Sequence, residues 1–223
     1  MIVRDGEFAY GFIHNPRTAG TNISAYLKEF CGGRTLANLP YYVSLHSIYA
    51  EEVKYRKFPN HYLFGFIRNP FSREYSLYQL YHATIDDSID FKTWCLSRED
   101  RLFKKPQYGY FCDINGNIAV NIFRYENRTE AINIISQNIN TNPEQFDSFK
   151  TDETRVYNAD MSYTKMYDNE MIDYLSEQYA VDLEAFGYYF DGYHDTIKNV
   201  PFEFTEDTMY YGAAAPKVGF INV

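Results

Sequence analysis

Several ordinary landmarks are missing from this chain. Of its 223 residues only three are cysteine, Cys31, Cys95 and Cys112, an odd number with no Cys-x-x-Cys spacing. That excludes a disulfide framework and offers no pattern for a zinc site. No run of about 18 apolar residues occurs, so no membrane-spanning helix is expected. The opening segment MIVRDGEFAYGFIH has no basic stretch followed by a long apolar one. No secretory signal is therefore expected, and a reducing cytoplasm is the expected setting. Positive charge is in deficit, with 21 Lys and Arg against 30 Asp and Glu and a formal net charge of −9. A surface of that sign repels nucleic acid and anionic membranes at long range, so neither is an expected partner. There is no Gly-x-x-x-x-Gly-Lys-Ser/Thr loop, no internal repeat and no low-complexity block.

Aromatic residues are plentiful instead. Phe, Trp and Tyr make up 19% of the chain, and 23 of them are Tyr. Tyr joins an apolar ring to a polar tip, which suits wet pockets that stack rings, although compositional bias gives the same count. The length fits one globular domain around a single core.

Strand-like and helix-like segments alternate. AYGFIH (9–14) is a short apolar run fit for a buried strand, NPRTAGTN is a loop, and ISAYLKEF (23–30) spaces Ile23, Tyr26, Leu27 and Phe30 along one helix face. Gly32 and Gly33 end that helix. The plan repeats in HYLFGFIR (61–68), the break Asn69-Pro70, and FSREYSLYQLYH (71–82), a helix with Pro in its first turn. Between the two units, 44–58 reads as a helix entered through a loop carrying His46. NIAVNIFRYE (117–126) reads as a third strand and 127–139 as a helix capped by Asn127, with Glu130 in the capping-box position. Residues 168–188 read as one or two helices, and the tail from Asp191 has no clear periodicity. Repeated strand–helix units predict an α/β fold with a central, mostly parallel sheet flanked by helices. In such sheets ligands sit where strand C-termini meet helix N-termini.

Two of those junctions carry anion chemistry. In His14-Asn15-Pro16-Arg17-Thr18-Ala19-Gly20-Thr21-Asn22, Ala19 and Gly20 let the backbone come close, and the first amides of the next helix point outward. Thr18 and Thr21 offer hydroxyls, and Arg17 a permanent charge that can fork onto phosphate or sulfate oxygens. A plain strand-to-helix turn with a capping Thr would look similar. In Arg68-Asn69-Pro70-Phe71-Ser72-Arg73-Glu74-Tyr75-Ser76, Arg68 ends a strand and Ser76 lies on the second turn of the following helix. Together they could hold a second phosphate some way from the first. Arg73 by itself reads as half of a surface ion pair with Glu74 or Glu126.

The two motifs together resemble the sulfotransferases that use 3′-phosphoadenosine 5′-phosphosulfate (PAPS), in particular the carbohydrate-type family. That family carries PKTxGT after one strand and R-[DN]-P-x-x-R-x-x-S after a later one, matched here by residues 16–21 and 68–76. The likeness continues through Phe91-Lys92-Thr93-Trp94, Gln107-Tyr108, Ile122-Phe123-Arg124-Tyr125-Glu126-Asn127 and Leu183-Glu184-Ala185-Phe186-Gly187-Tyr188. It spans about residues 9–190, which makes 1–190 one sulfotransferase-like domain with a P-loop-like, three-layer plan. Residues 191–223 would be a C-terminal extension packing on it.

The resemblance implies that Pro16, Arg17, Thr18, Ala19, Gly20, Thr21 and Asn22 bind the 5′-phosphosulfate end, and that Arg68 and Ser76 bind the 3′-phosphate. The family has Lys where this chain has Arg17, so Arg17 is read as an electrostatic clamp on the oxygen that leaves with PAP, the nucleotide product. His46 falls where related enzymes place a His facing the acceptor, and is the candidate base; Glu51, Glu52 and His14 are alternatives. His14, His61, His82 and His194 otherwise read as structural or surface residues. Arg124 and Glu126 read as a buried ion pair that orders the site; Trp94 and Tyr108 read as pocket lining or core. No metal is required, because arginines and amides supply the positive charge. The implied acceptor is a hydroxyl, by resemblance on a saccharide. A P-loop kinase or phosphotransferase and a non-catalytic PAP-binding protein stand as alternatives.

Overall fold

The computed structural model of the chain describes residues 1–35, 49, 59–85, 87–97, 105–145 and 162–204. Its centre is a five-stranded sheet in the order β3-β1-β2-β4-β5. The strands are β1 (Ile2–Arg4), β2 (Tyr10–Ile13), β3 (Arg34–Thr35), β4 (Tyr62–Ile67) and β5 (Asn121–Arg124). β2, β4 and β5 form a parallel trio, with Phe12 beside Phe64 and Ile67 beside Arg124. These are the three strands that the apolar runs predict. The sheet is mostly parallel, as expected, with one mixed side where β1 runs antiparallel to both β2 and β3. Only residues 5–9 join β1 to β2, too short a link for a crossover, so that pair must be antiparallel.

Alternation along the strands gives the sheet two buried faces. Ile2, Tyr10, Phe12, Phe64 and Phe66 point to one, where α1 (Gly20–Phe30) contributes Ile23, Tyr26 and Leu27, and α4 (Arg128–Ile139) contributes Ala131, Ile135 and Ile139. Val3, Ile13 and Ile67 point to the other, under the 3₁₀ turn Tyr108–Tyr110, Phe111 and Phe186 of α6 (Ala180–Phe186). A Cβ at Gly65 would run into the Phe111 ring, so a residue without a side chain is needed there. A third core lies beside the sheet among α2 (Pro70–Thr84), α3 (Phe91–Leu96) and α5 (Asn169–Gln178), built from Phe71, Leu77, Phe91, Trp94, Met171 and Tyr179. Each core holds one buried, free cysteine: Cys31 with α1, Cys112 on the opposite face, Cys95 in the third.

Side-chain capping follows local chemistry at α2 and α5. Asn69 caps α2 by accepting from Phe71 N and Ser72 N, with Pro70 at the first position, and Asp168 caps α5 through Met171 N. The predicted capping box at Asn127 is not made. A 3₁₀ turn, Tyr125–Asn127, runs straight into α4, so Asn127 lacks the extended backbone of a cap; its side chain instead accepts from Tyr193 OH at 3.0 Å. The segment 168–188 forms two helices, divided at Tyr179. Beyond them, β6 (Tyr188–Tyr189) and β7 (Gly192–Tyr193) pair as a small hairpin, of which β7 lies in the tail read as aperiodic, and Val200 and Phe202 pack on the core at Tyr108. The predicted helix at 44–58 lies outside the described residues apart from Tyr49, which is partly buried against the core. Among the described residues no helix is long and apolar enough to cross a membrane.

Candidate functional site

Because β2, β4 and β5 are parallel, their C-terminal ends lie side by side, and the segments 14–19, 68–69 and 125–127 line one edge of the sheet. This is the edge at which open α/β sheets bind ligands.

The first loop turns through two left-handed backbones, Arg17 at φ 64° and Ala19 at φ 62°. Ala19 opens α1 with no side-chain cap and no acidic residue in the first turn, so no side chain of the helix offsets the positive end of its dipole. Asn15 is wholly buried, and its Nδ2 donates to Phe66 O (3.0 Å) and Gln107 Oε1 (2.8 Å). The Thr18 hydroxyl, expected to face an anion, is buried and donates to Asn15 O at 2.8 Å, because the loop must satisfy its own carbonyls. Thr21 is exposed and Asn22 partly so. His14 is buried and stacks on Phe12, and a Cβ at Gly20 would run into its imidazole. His14 thus acts as the packing neighbour its position predicts, and Gly20 lets α1 start beside it.

The predicted charges converge. Arg17 donates through Nε (3.0 Å) and Nη2 (2.9 Å) to the Oγ of Ser76. Arg68 donates through Nε to Ser72 Oγ (2.9 Å) and through Nη1 to Arg17 O (3.2 Å), and its guanidinium lies 4.7 Å from the centre of the Tyr125 ring. Burial pulls the Arg68 pKa below its ordinary value, opposed by the nearby acidic groups Tyr125 and Glu126. Sequence spacing suggested two anion sites standing apart; the structure brings Arg17, Arg68 and Ser76 into one hydrogen-bonded cluster.

Arg73 is not a surface residue. It is fully buried and donates to Pro16 O (3.2 Å) and Lys105 O (3.1 Å), carbonyls of loops that have no strand partner. Its neighbour Glu74, equally buried, accepts from Trp94 Nε1 (2.6 Å) and Tyr179 OH (2.7 Å). Trp94 and Tyr108 are both core residues. The expected Arg124–Glu126 ion pair does not form, because each group is taken elsewhere. Arg124 donates to Phe186 O, His194 O and Thr196 O and lies against the rings of Tyr188 and Tyr193. Glu126 accepts from Asn69 N (2.7 Å) and Tyr188 OH (2.9 Å). Asn69 also donates to Tyr189 O and Gly192 O, docking the C-terminal hairpin beside the second motif. Between hairpin and motif lies a cavity of about 490 Å³, lined by Ser72, Tyr125, Arg128, Tyr163 and Tyr193 among others.

Two buried supports of these loops have no local signature in the sequence. Gln107 bonds both loops, through Asn15 and through the backbone of Arg68. Asp182 is wholly buried and accepts from Gln107 N (2.7 Å) and Tyr108 N (2.8 Å); burial pushes its pKa up to about 6. Gln107 could have been found only as part of the Gln107-Tyr108 segment, and Asp182 reads as an ordinary acid on a short helix. The candidate base His46, and with it Glu51 and Glu52, lies outside the described residues. His61 pairs with Asp5 at 2.7 Å beyond the opposite edge of the sheet, and His82 lies against Tyr78 with the two rings tilted by 55°. No protein-family model, curated protein or solved structure matches this chain.

Proposed function

We propose that the protein is a PAPS-dependent sulfotransferase with a P-loop-like, three-layer plan, acting on an acceptor hydroxyl, by resemblance that of a saccharide. The observation that carries this reading is the convergence of Arg17, Arg68 and Ser76 at the ends of neighbouring parallel strands. Two guanidinium groups, a hydroxyl and an uncapped helix start make a concentrated anion site, and its division between the two ends of a nucleotide follows the family resemblance. The cavity of about 490 Å³ next to the second motif shares Asn69 and Ser72 with it and offers the rings of Tyr125, Tyr163 and Tyr193, together with the carboxylates of Glu126 and Asp191.

In this reading residues 16–22 take the 5′ phosphosulfate, mainly through backbone amides, since the Thr18 hydroxyl serves the loop itself. Arg68 and Ser76 take the 3′-phosphate. The acceptor oxygen bonds to sulfur as the bond from sulfur to the bridging oxygen breaks, and the hydroxyl proton passes to a base, for which His46 is the candidate. Arg17 sets a fixed positive charge where negative charge grows on the departing oxygen, an interaction stronger in the transition state than before it. The Ser76 hydroxyl keeps that guanidinium at the junction of the two motifs.

Thermal shift is the first test. PAP raises the melting temperature and ATP with Mg²⁺ does not; the reverse result would support a phosphotransferase. Arg68→Ala weakens PAP binding about 10- to 100-fold, as expected for a charge-assisted contact. Sulfate transfer from labelled PAPS to sugars, phenols and lipids tests turnover, and PAP binding with no transfer to any acceptor would favour a binding protein.

A further inference from the structure

We propose that Gln107 is a positioning residue whose side-chain amide sets the separation of the two anion-binding loops. The inference rests on the doubly charged nucleotide reading above and adds a residue which that reading does not use. Sheet pairing of β4 ends at Ile67. One residue later Gln107 takes over: Oε1 accepts from Arg68 N at 2.9 Å and Nε2 donates to Arg68 O at 2.7 Å. A primary amide bonded in this way imitates the next rung of a β-ladder. The same Oε1 also accepts from Asn15 Nδ2 at 2.8 Å, and Asn15 reaches Phe66 O at 3.0 Å. One amide therefore ties the loop after β2 to the loop after β4.

The amide is itself anchored. Gln107 N donates to Asp182, as does Tyr108 N, and Gln107 is wholly buried. On the adjoining stretch, Arg73 holds Lys105 O and Pro16 O together, a second tie between residues 105–107 and the first loop. Polar groups buried at this density keep one geometry, since any shift leaves a donor or acceptor unpaired. The distance between the Arg17 end and the Arg68 end of the site is thus fixed from underneath, by groups that touch no ligand. A ligand phosphorylated at one end is indifferent to that distance. A ligand phosphorylated at both ends is not.

The experiment is a titration of the full chain with PAP, adenosine 5′-phosphate and adenosine 3′-phosphate. Wild type prefers PAP over both mononucleotides, and Gln107→Ala narrows that preference about tenfold while each mononucleotide stays within about twofold of its wild-type affinity. Should Gln107→Ala not fold, Gln107→Asn (one methylene too short to reach both loops) and Asn15→Ala carry the test, and the preference narrows in each. Where Gln107→Ala does fold, adding Asn15→Ala to it narrows the preference no further, because both act through one bridge. An unchanged preference, or an equal loss for all three ligands, would overturn the proposal while leaving the nucleotide reading intact. A wild-type protein that does not bind PAP would overturn both.

Discussion

The loop after β2 and the loop after β4 carry a strand into a helix by the same plan, yet they present their charged side chains differently. In the first, Arg17 is partly exposed on a left-handed backbone, its helix has no side-chain cap, and its guanidinium is held by the hydroxyl of Ser76. In the second, Gln107 bonds the backbone of Arg68 on both sides, Asn69 caps α2 while gripping the C-terminal hairpin, and Arg73 and Glu74 are sealed in the interior. The backbones of both loops are tied into one buried network, and what differs is the side chain each presents: the Arg17 guanidinium is part-exposed against a hydroxyl, whereas Arg73 and Glu74 are sealed in. On the proposed chemistry the division is sensible. Nucleotide recognition calls for a rigid frame, and the charge that meets the departing oxygen must be in place before charge develops there, yet remain open to the ligand.

The largest test of that contrast is Arg73→Met. It leaves the carbonyls of Pro16 and Lys105 without their buried donor and should cost about 3 kcal/mol or more of unfolding free energy. Urea denaturation measures this, and a loss below about 1 kcal/mol would mean that the first loop does not lean on α2.

Asp182→Asn comes next, at about 1–3 kcal/mol at neutral pH, since an amide nitrogen would face a backbone N–H that now meets carboxylate oxygen. It also changes the pH dependence. The Asp182 pKa is raised from 3.8 to about 6, chiefly by burial, so folding takes up a proton between those values. Its favourable contribution is complete below the unfolded pKa and is lost as pH rises through about 6. The stability gap between wild type and Asp182→Asn is therefore wider at pH 4 than at pH 7, as urea midpoints across that range would show. A gap that widens with rising pH would contradict the buried environment of Asp182.

Ser76→Ala is the smallest. It removes two hydrogen bonds from the Arg17 guanidinium and should change stability by less than about 1 kcal/mol while lowering PAP affinity severalfold. A stability loss above about 2 kcal/mol would show that the Arg17 side chain is as structural as the sealed Arg73, and the contrast would vanish.

What could be read from the chain follows from how far each signal reaches. β2, β4, β5 and the helices after them were visible because apolar runs, Pro70 and the glycines act locally. β1 and β3, three and two residues long, are too short for any periodicity to register. The convergence of Arg17 on Ser76 was foreseeable as a shared edge but not as a contact, since 59 residues separate the pair. Arg73 reads as a surface charge because a charge on an amphipathic helix ordinarily faces water; its burial answers to the carbonyls of two loops distant in sequence. The Gln107–Asp182 support was invisible for the same reason, its partners lying 75 residues apart.

The three cysteines, one sealed in each core, give the molecule a built-in set of reporters. A thiol reagent reaches a sulfur only when the packing around it parts, so the labelling rates of Cys31, Cys95 and Cys112 time the openings of three different layers. Burial also pushes the Cys112 thiol up to about 12, which keeps it in the unreactive protonated form for as long as its layer stays closed. Followed with and without PAP, the three rates would show which layer of the fold senses the nucleotide.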